Sequence, residues 1–326
     1  MTKDRILELL WQEKDYLSGE EMARRLSVSR TAVWKGIEQL RAEGYRIDSS
    51  TNRGYRLLPE SDVLSEAGIR KYLNTDRVRV KVFESISSTN TVLKVMAEDG
   101  VEEGLCLVAG EQTAGRGRLG RSFYSPKDSG LYLSLLLRPE LRAESAVAMT
   151  ACAAVAAAQA IESIAPVRTE IKWVNDVLVG GRKVCGILTE ASLDCENGRL
   201  KYMVVGIGIN TRLPASDFPE ELRGIAGAAF ESGSSIPELR CRLTGELLNR
   251  LAACADNPGA EEWYEEYRKR SVVLGKPILI LSPGRKPERA TALRLDRDYA
   301  LVVQTEDGDV RRLNSGEVSI RPAEQL

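Results

Sequence analysis

Gly110-Glu111-Gln112-Thr113-Ala114-Gly115-Arg116-Gly117-Arg118-Leu119-Gly120-Arg121 is the stretch on which the fold turns. Arg116, Arg118 and Arg121 alternate with Gly115, Gly117 and Gly120, and no acidic side chain stands between Gln112 and Lys127 to neutralise them. Glycine permits close backbone approach and positive φ, while the guanidinium fork fits phosphate or carboxylate. The three glycines also satisfy the G-x-G-x-x-G pattern of dinucleotide-binding folds, which needs a strand before it and a helix after it. The entry fits, because residues 105–109, Leu-Cys-Leu-Val-Ala, read as a strand. The exit does not: Ser122-Phe123-Tyr124-Ser125-Pro126 reads as loop and residues 131–137 as a second strand. The stretch therefore predicts a basic loop between two strands that wraps a polyanion. A merely solvated basic loop is the competing reading.

At 326 residues the chain suits two or three domains, and its net charge of −1 predicts no partner, so any polyanion site must be local. The N-terminus runs straight into an amphipathic pattern, with no apolar leader expected. The longest apolar stretch, residues 146–161, is mostly alanine and interrupted by Thr150 and Gln159, which favours a buried helix over a membrane span. Six cysteines without C-x-x-C spacing read as reduced thiols of a cytoplasmic protein. The chain has no histidine, which excludes Ser-His-Asp triads, Cys-His pairs and His-ligated zinc. Any catalysis must rest on charge and positioning.

In the first 60 residues, Ile6 to Trp11 predict a short helix, and Ser18 with Glu21 forms a capping box that opens a second through Leu26. Ser29 can cap a third helix from Arg30 to about Glu43, which completes a helix-turn-helix. Ser29, Arg30, Thr31, Trp34 and Lys35 lie where recognition helices meet DNA, and Trp34 reads equally well as core. Residues 44–48 and 54–57 predict the two strands of a wing. Between Arg24 and Arg56 eight basic residues face Glu38, Glu43 and Asp48, a local basic excess. A small protein-interaction module is the alternative reading. Residues 59–62, Pro-Glu-Ser-Asp, read as a linker.

A helix over 62–73 and a strand over 78–83 come next, and Ser87-Ser88-Thr89-Asn90 opens a further helix as a cap or a polar-ligand site. After the arginine-glycine loop and the strand at 131–137, an alanine-rich helix is expected over 143–164. Residues 171–179 form a strand broken by polar Asn175 and Asp176, and 183–190 and 203–210 form two more. Two helices over 247–270 lead to short strands at 277–281, 290–295, 299–305 and 318–321, separated by turns. The residues alone predict a mixed α/β domain with an anion-binding loop.

Ser88-Thr89-Asn90, the loop from Gly115 to Arg121, Lys172-Trp173-Val174-Asn175-Asp176, residues 183–190 and Gly206-Ile207-Gly208-Ile209-Asn210 recur in this order in a known family. The chain closely resembles the biotin protein ligases, and with its winged helix it resembles the bifunctional BirA type that doubles as a biotin operon repressor. The resemblance implies a multidomain α/β fold: a winged helix-turn-helix over 1–60, a class II synthetase-like biotin- and ATP-binding domain over 61–270, and an SH3-like β-barrel over 271–326. It implies that biotin and ATP, with an accompanying magnesium ion and no protein-held metal, form biotinyl-5′-AMP, and that a lysine of a biotin carboxyl carrier domain then attacks the adenylate. Ser88, Thr89, Asn90, Gln112 and the backbone of Gly115 to Arg118 would hold biotin. Arg116, Arg118, Arg121 and Lys183 would carry the chemistry, with Asn175, Asp176, Gly186 and Asn210 toward the nucleotide. The adenylate-loaded protein would form a homodimer on operator DNA, away from any membrane. Two departures are Phe123, where the family often has Trp, and Val174, where it often has Pro. Residues 215–236 match poorly and carry no expected role. A ligand-sensing transcription factor without turnover and a lipoate or octanoate ligase are the alternatives.

Overall fold

The computed structural model describes residues 2–13, 15–58, 61–139, 145–193, 199–231, 236–282, 286–314 and 319–322. Pro59 and Glu60 of the expected linker, Cys195, the start of the alanine-rich helix at 143–144 and Val318 lie outside them. The chain forms two compact units, Met1–Tyr72 with Gly233–Gly245, and Leu73–Ser232 with Glu246–Leu326.

In the first unit α1 (Thr2–Gln12), α2 (Gly19–Leu26) and α3 (Arg30–Ala42) precede a two-stranded hairpin of β1 (Ile47–Ser50) and β2 (Gly54–Leu57). The capping expectations hold: Glu21 N donates to Ser18 Oγ and Ala32 N to Ser29 Oγ, both at 3.1 Å. These caps satisfy amide groups that the first helical turn leaves without partners. Ile6, Leu7 and Leu10 meet Met22, Leu26, Val33, Ile37 and Leu40 in one core, the spacing that puts apolar residues on a single helix face.

Two expectations need correction here. The first wing strand starts at Ile47; just before it the Arg46 N–H donates to Ser61 Oγ at 2.8 Å, while its carbonyl accepts from Leu58 N at 2.8 Å. The helix expected over 62–73 shrinks to α4 (Glu66–Arg70). Ser65 is extended and caps it, while Asp62 accepts from Arg240 N at 2.9 Å. Tertiary hydrogen bonds have taken the first turn that local propensity offered.

In the second unit β3 (Arg79–Phe83), α5 (Thr89–Glu98), β4 (Leu105–Ala109), β5 (Gly130–Leu137), α6 (Ser145–Glu162), β6 (Thr169–Lys172), β7 (Asp176–Val179), β8 (Arg182–Leu193) and β9 (Leu200–Asn210) build a seven-stranded sheet. Its order is β3-β4-β5-β9-β8-β7-β6, with only the β3–β4 ladder parallel. The stretch expected as one broken strand is thus two, β6 and β7, paired antiparallel from Thr169↔Val179 to Lys172↔Asp176. Polar Asn175 and Asp176 mark the turn, as turn chemistry favours.

Side chains alternate across a strand, so neighbouring residues report opposite faces. Thr189 accepts from Thr150 of α6 at 2.7 Å, whereas the next residue, Glu190, pairs with Lys94 of α5 at 2.8 Å. α5 and α6 therefore cover opposite faces of the sheet. Under α5, Leu93 and Ala97 pack on Leu107, Leu136, Tyr202 and Val204. The run Ala153-Ala154-Val155-Ala156-Ala157-Ala158 of α6 is wholly buried. Among the described residues no helix is long and apolar enough to cross a membrane.

α7 (Leu239–Asp256) and α8 (Glu261–Arg270) lead into β10 (Pro277–Leu281), β11 (Glu288–Leu295), β12 (Leu301–Thr305), β13 (Val310–Leu313) and β14 (Ser319–Pro322). These form an antiparallel sheet in the order β13-β12-β11-β10-β14. β13, Val-Arg-Arg-Leu, was not anticipated, because its three exposed residues break the apolar alternation that announces a strand. The C-terminal sheet grips the end of β6: Trp173 Nε1 donates to Tyr299 O at 2.8 Å, and Tyr299 packs edge-on to Tyr264 and Tyr267.

Candidate functional site

On the face of the sheet that α5 covers, the inward positions of three neighbouring strands are Tyr132 and Ser134 of β5, Gly206 and Gly208 of β9, and Gly186 and Leu188 of β8. Three of these six are glycine, so the centre of the face has no side chains and a cleft opens there. Its empty volume is ≈ 450 Å³, counting the part open to solvent. Two of the glycines are obligatory by contact. A Cβ on Gly206 would stand 2.0 Å from Asn90 Oδ1, and one on Gly208 2.5 Å from the Phe123 ring. Ile207 and Ile209, at the alternate positions, are buried on the other side.

The arginine-glycine stretch is a closed loop between β4 and β5, with the strand-loop-strand context that the sequence predicts. Its base is tied to the chain ahead of α5 by Thr113 N to Ile86 O at 3.0 Å and Ala114 N to Ser87 O at 2.8 Å. Its neck is closed by Phe123 N to Gly115 O at 2.9 Å and Gly117 N to Arg121 O at 2.7 Å, around a single 3-10 turn at Arg118–Gly120. Leu119 at the tip is half exposed.

Ser88, Thr89, Asn90, Gln112, Arg116, Gly117, Arg118, Asn175, Lys183 and Gly186, scattered over a hundred residues of chain, all line this cleft. At one end they form a polar network. Gln112 Oε1 accepts from Thr89 N at 2.9 Å and Thr89 Oγ1 at 3.1 Å, and Gln112 Nε2 donates to Ser125 Oγ at 3.1 Å. The buried Ser134 hydroxyl lies 2.7 Å from Thr89 Oγ1 and 2.5 Å from Asn90 Oδ1, so its one proton serves either acceptor. The sequence reading missed Ser134, although a lone serine inside Leu-Tyr-Leu-Ser-Leu-Leu-Leu was a visible signal. Ser88 keeps its capping role, its Oγ accepting from Thr91 N at 3.4 Å.

The other end is cationic. Arg118 Nη1 donates to Asn175 Oδ1 at 2.9 Å, and Asn175 Nδ2 donates to Ile187 O at 3.0 Å. Lys183 Nζ sits 2.6 Å from Asp176 Oδ1 and 5.8 Å from the Phe123 ring centre, while Lys172 Nζ lies 3.5 Å from Asp176 Oδ2. Burial on its own would raise the Asp176 carboxyl, but Lys183 and Lys172 hold it below the usual carboxylate range. Burial pushes the Arg118 guanidinium down from its ordinary value, with Asp176 opposing. Arg118 and Lys183 together exceed the one carboxylate near them, which leaves positive charge for an anion.

Other expected residues lie outside the cleft lining. Gly115 is buried at the loop neck, and the Arg121 side chain is exposed. Asp176 meets the site through its ion pair with Lys183 and its charge on Arg118. Asn210 is buried at the end of β9, its Nδ2 donating to Gly227 O at 3.2 Å. That bond belongs to a segment without an expected role: Lys183 N donates to Ile225 O at 2.8 Å and Gly227 N to Lys183 O at 2.9 Å. Residues 225–227 thus fix the backbone from which Lys183 projects.

In the first unit, Arg30, Thr31, Trp34 and Lys35 are exposed on the outer face of α3, with Ser29 at its cap. Trp34 is 54% exposed, which decides against the core reading. A groove lined by Arg30, Thr31, Trp34 and the hairpin residues Ser49 to Asn52 runs between α3 and the wing. Arg24, Arg25, Arg41 and Arg53 are spent on ion pairs with Glu21, Glu13, Glu38 and Asp15. Arg30 and Lys35 have no such partner among the described residues.

The Biotin/lipoate A/B protein ligase family matches residues 82–210, and an HTH domain matches residues 2–56. The chain is similar to the bifunctional ligase/repressor BirA of Bacillus spizizenii, 41% identical over 97% of both chains. It is 41% identical to the protein of the same name from Bacillus subtilis over 68% of each. A solved structure of biotin protein ligase from Aquifex aeolicus in complex with biotin and ATP superposes with a TM-score of 0.61 at 27% identity, covering 75% of this chain and 99% of that one.

Proposed function

The chain belongs to the biotin protein ligases in their bifunctional ligase/repressor form, and we propose that the glycine-floored cleft joins biotin to AMP and hands it to a carrier lysine. The protein is an ATP-dependent biotin ligase and a DNA-binding repressor. In the first step a biotin carboxylate oxygen attacks the α-phosphorus of ATP, the bond to the β-phosphate breaks, and pyrophosphate leaves. In the second, a carrier-domain lysine amine attacks the acyl carbon, and AMP leaves with the bonding pair.

Neither step needs a histidine. The carboxylate is already a nucleophile, and the barrier lies in bringing two anions together and stabilising charge on phosphorus. The network of Thr89, Asn90, Gln112 and Ser134 offers donors and acceptors to the uncharged ring system of biotin. The Phe123 and Leu188 walls take its apolar body. Arg118 and Lys183 receive the carboxylate and α-phosphate, and Asn175 holds Arg118 in place. Asp176 keeps Lys183 aimed. Asn210 acts at one remove, by fixing residues 225–227 behind Lys183 toward the nucleotide. Magnesium would accompany ATP as part of the nucleotide substrate.

The observation that carries this reading is the meeting, in one cleft, of an uncharged polar end and a cationic end, separated by a floor without side chains. That is the shape of a neutral polar head joined through an apolar chain to an anionic centre. Residues 1–60, 61–270 and 271–326 divide the work into DNA binding, ligation and a β-sheet module of SH3-like type that supports ATP or carrier binding. Arg30, Thr31, Trp34 and Lys35 face operator DNA, where Ser29 fixes the start of α3. Loading with biotinyl-5′-AMP favours a cytoplasmic homodimer that matches a two-fold operator. Biotin-dependent exchange of labelled pyrophosphate into ATP tests the first step. Exchange with lipoate or octanoate and none with biotin would move the chain to the sister activity.

A further inference from the structure

Glu190 stands outside the cleft lining, yet the elements that form the cleft meet on its carboxylate. Oε1 takes Lys94 Nζ of α5 at 2.8 Å and Arg116 Nη1 of the loop at 3.3 Å. Oε2 accepts from Asn90 Nδ2 at 3.0 Å, and Asn90 Nδ2 also reaches Leu188 O at 3.1 Å. The Glu190 side chain is 17% exposed. Burial on its own would raise its carboxyl, but Lys94, Asn90 and Arg116 hold it below the usual range, so it is ionised at neutral pH.

The consequence falls on Arg116. Its guanidinium points to Glu190, while Arg118, two residues on, points to Asn175 on the cationic side. The two arginines of one loop therefore have different duties. With the reading of this cleft as the biotin site as its premise, we propose that Glu190 is a positioning residue that clamps the Arg116 side chain. The clamp holds the Arg116–Gly117 backbone over the biotin ring and makes Arg116 an anchor of the lid, with no contact to phosphate. Lys94 supplies the second cation that keeps the clamp ionised, and Asn90 ties it to the biotin-facing network.

The test is a double-mutant cycle on the full-length protein with Glu190→Gln, Arg116→Gln and the pair, read by biotin-dependent pyrophosphate exchange. A half-exposed ion pair is worth about fivefold in an equilibrium. Each single change is expected to raise the KM for biotin about fivefold, with the loss on KM more than on kcat, and the double is expected to match the worse single. Arg116→Lys, which keeps a cation opposite Glu190, should recover most of the loss. Multiplying effects in the double would overturn the clamp, as would a kcat defect in Arg116→Gln that Glu190→Gln lacks. Arg116 is 46% exposed, so the Gln and Lys variants at that position decide the matter even if Glu190→Gln folds poorly. Absence of biotin-dependent exchange in the wild type would instead remove the premise.

Discussion

Gly206→Ala is the sharpest perturbation of the cleft floor. The new Cβ would stand 2.0 Å from Asn90 Oδ1, 2.7 Å from its Cγ and 2.9 Å from its Nδ2, all closer than real contacts allow. Gly206 sits in the middle of β9, hydrogen-bonded between β5 and β8, so the backbone cannot retreat and Asn90 must swing away. Asn90 then gives up its bonds to Leu188 O, Glu190 Oε2 and Ser134 Oγ. Two neutral hydrogen bonds and one to a charged group amount to about 3 kcal/mol after partial replacement by water. Urea unfolding followed by tryptophan fluorescence should show that loss, and the KM for biotin should rise because Asn90 lines the cleft. In an Asn90→Ala background the obstruction is gone, so Gly206→Ala should then cost less than about 0.5 kcal/mol. Equal losses in both backgrounds would refute the contact as the cause, and an unaffected single variant would refute the geometry of the floor.

Lys183→Met should slow pyrophosphate exchange by about a hundredfold or more, and a normal rate would remove Lys183 from the first step. The same change leaves buried Asp176 with Lys172 alone. Because the folded-state pKa of Asp176 is depressed, the stabilisation is complete above the unfolded value of about 3.9 and lost as pH falls through the lower folded value. The gap in stability between wild type and Lys183→Met should therefore close toward acid pH, in denaturation curves taken at a series of pH values. Arg118→Gly should speed escape of biotinyl-5′-AMP about tenfold or more by removing a charged donor, measured as release of labelled adenylate; unchanged retention would dismiss the assignment. Trp34→Ala should weaken operator binding about tenfold in a gel-shift assay while leaving the melting temperature unaltered, because the side chain is 54% exposed.

The two ends of the cleft were legible in the sequence to different depths. Arg118 announces itself, because an unneutralised cation among glycines has few other uses, whereas Lys183 reads alone as a strand-end residue and takes its role from the family resemblance; the caps at Ser18 and Ser29 follow from local rules that the fold does not override. The glycine floor was also written out, as the period-two alternation Gly206-Ile207-Gly208-Ile209, but its meaning depends on which strands lie beside it. Gly186 and Ser134 join it only through the β8–β9 and β5–β9 registers. Glu190 went unremarked for the same reason, since its partners Asn90, Lys94 and Arg116 lie 74 to 100 residues away. The missed features of the fold had the opposite cause. The helix over 62–73 and the strand over 44–48 were shortened by Asp62, Ser61 and Arg240, whose bonds outweigh weak local propensity.

At the centre stands the proposal that the cleft activates biotin and passes it to a lysine of a carrier. Incubating the purified protein with biotin, MgATP and an isolated biotin carboxyl carrier domain, then weighing the carrier by mass spectrometry, tests it directly. The expected carrier is heavier by one biotinyl group, with the gain abolished when ATP is omitted and when the acceptor lysine of the carrier is replaced. A carrier of unchanged mass, from protein whose winged helix still binds DNA in response to biotin, would contradict it and leave a ligand sensor without turnover.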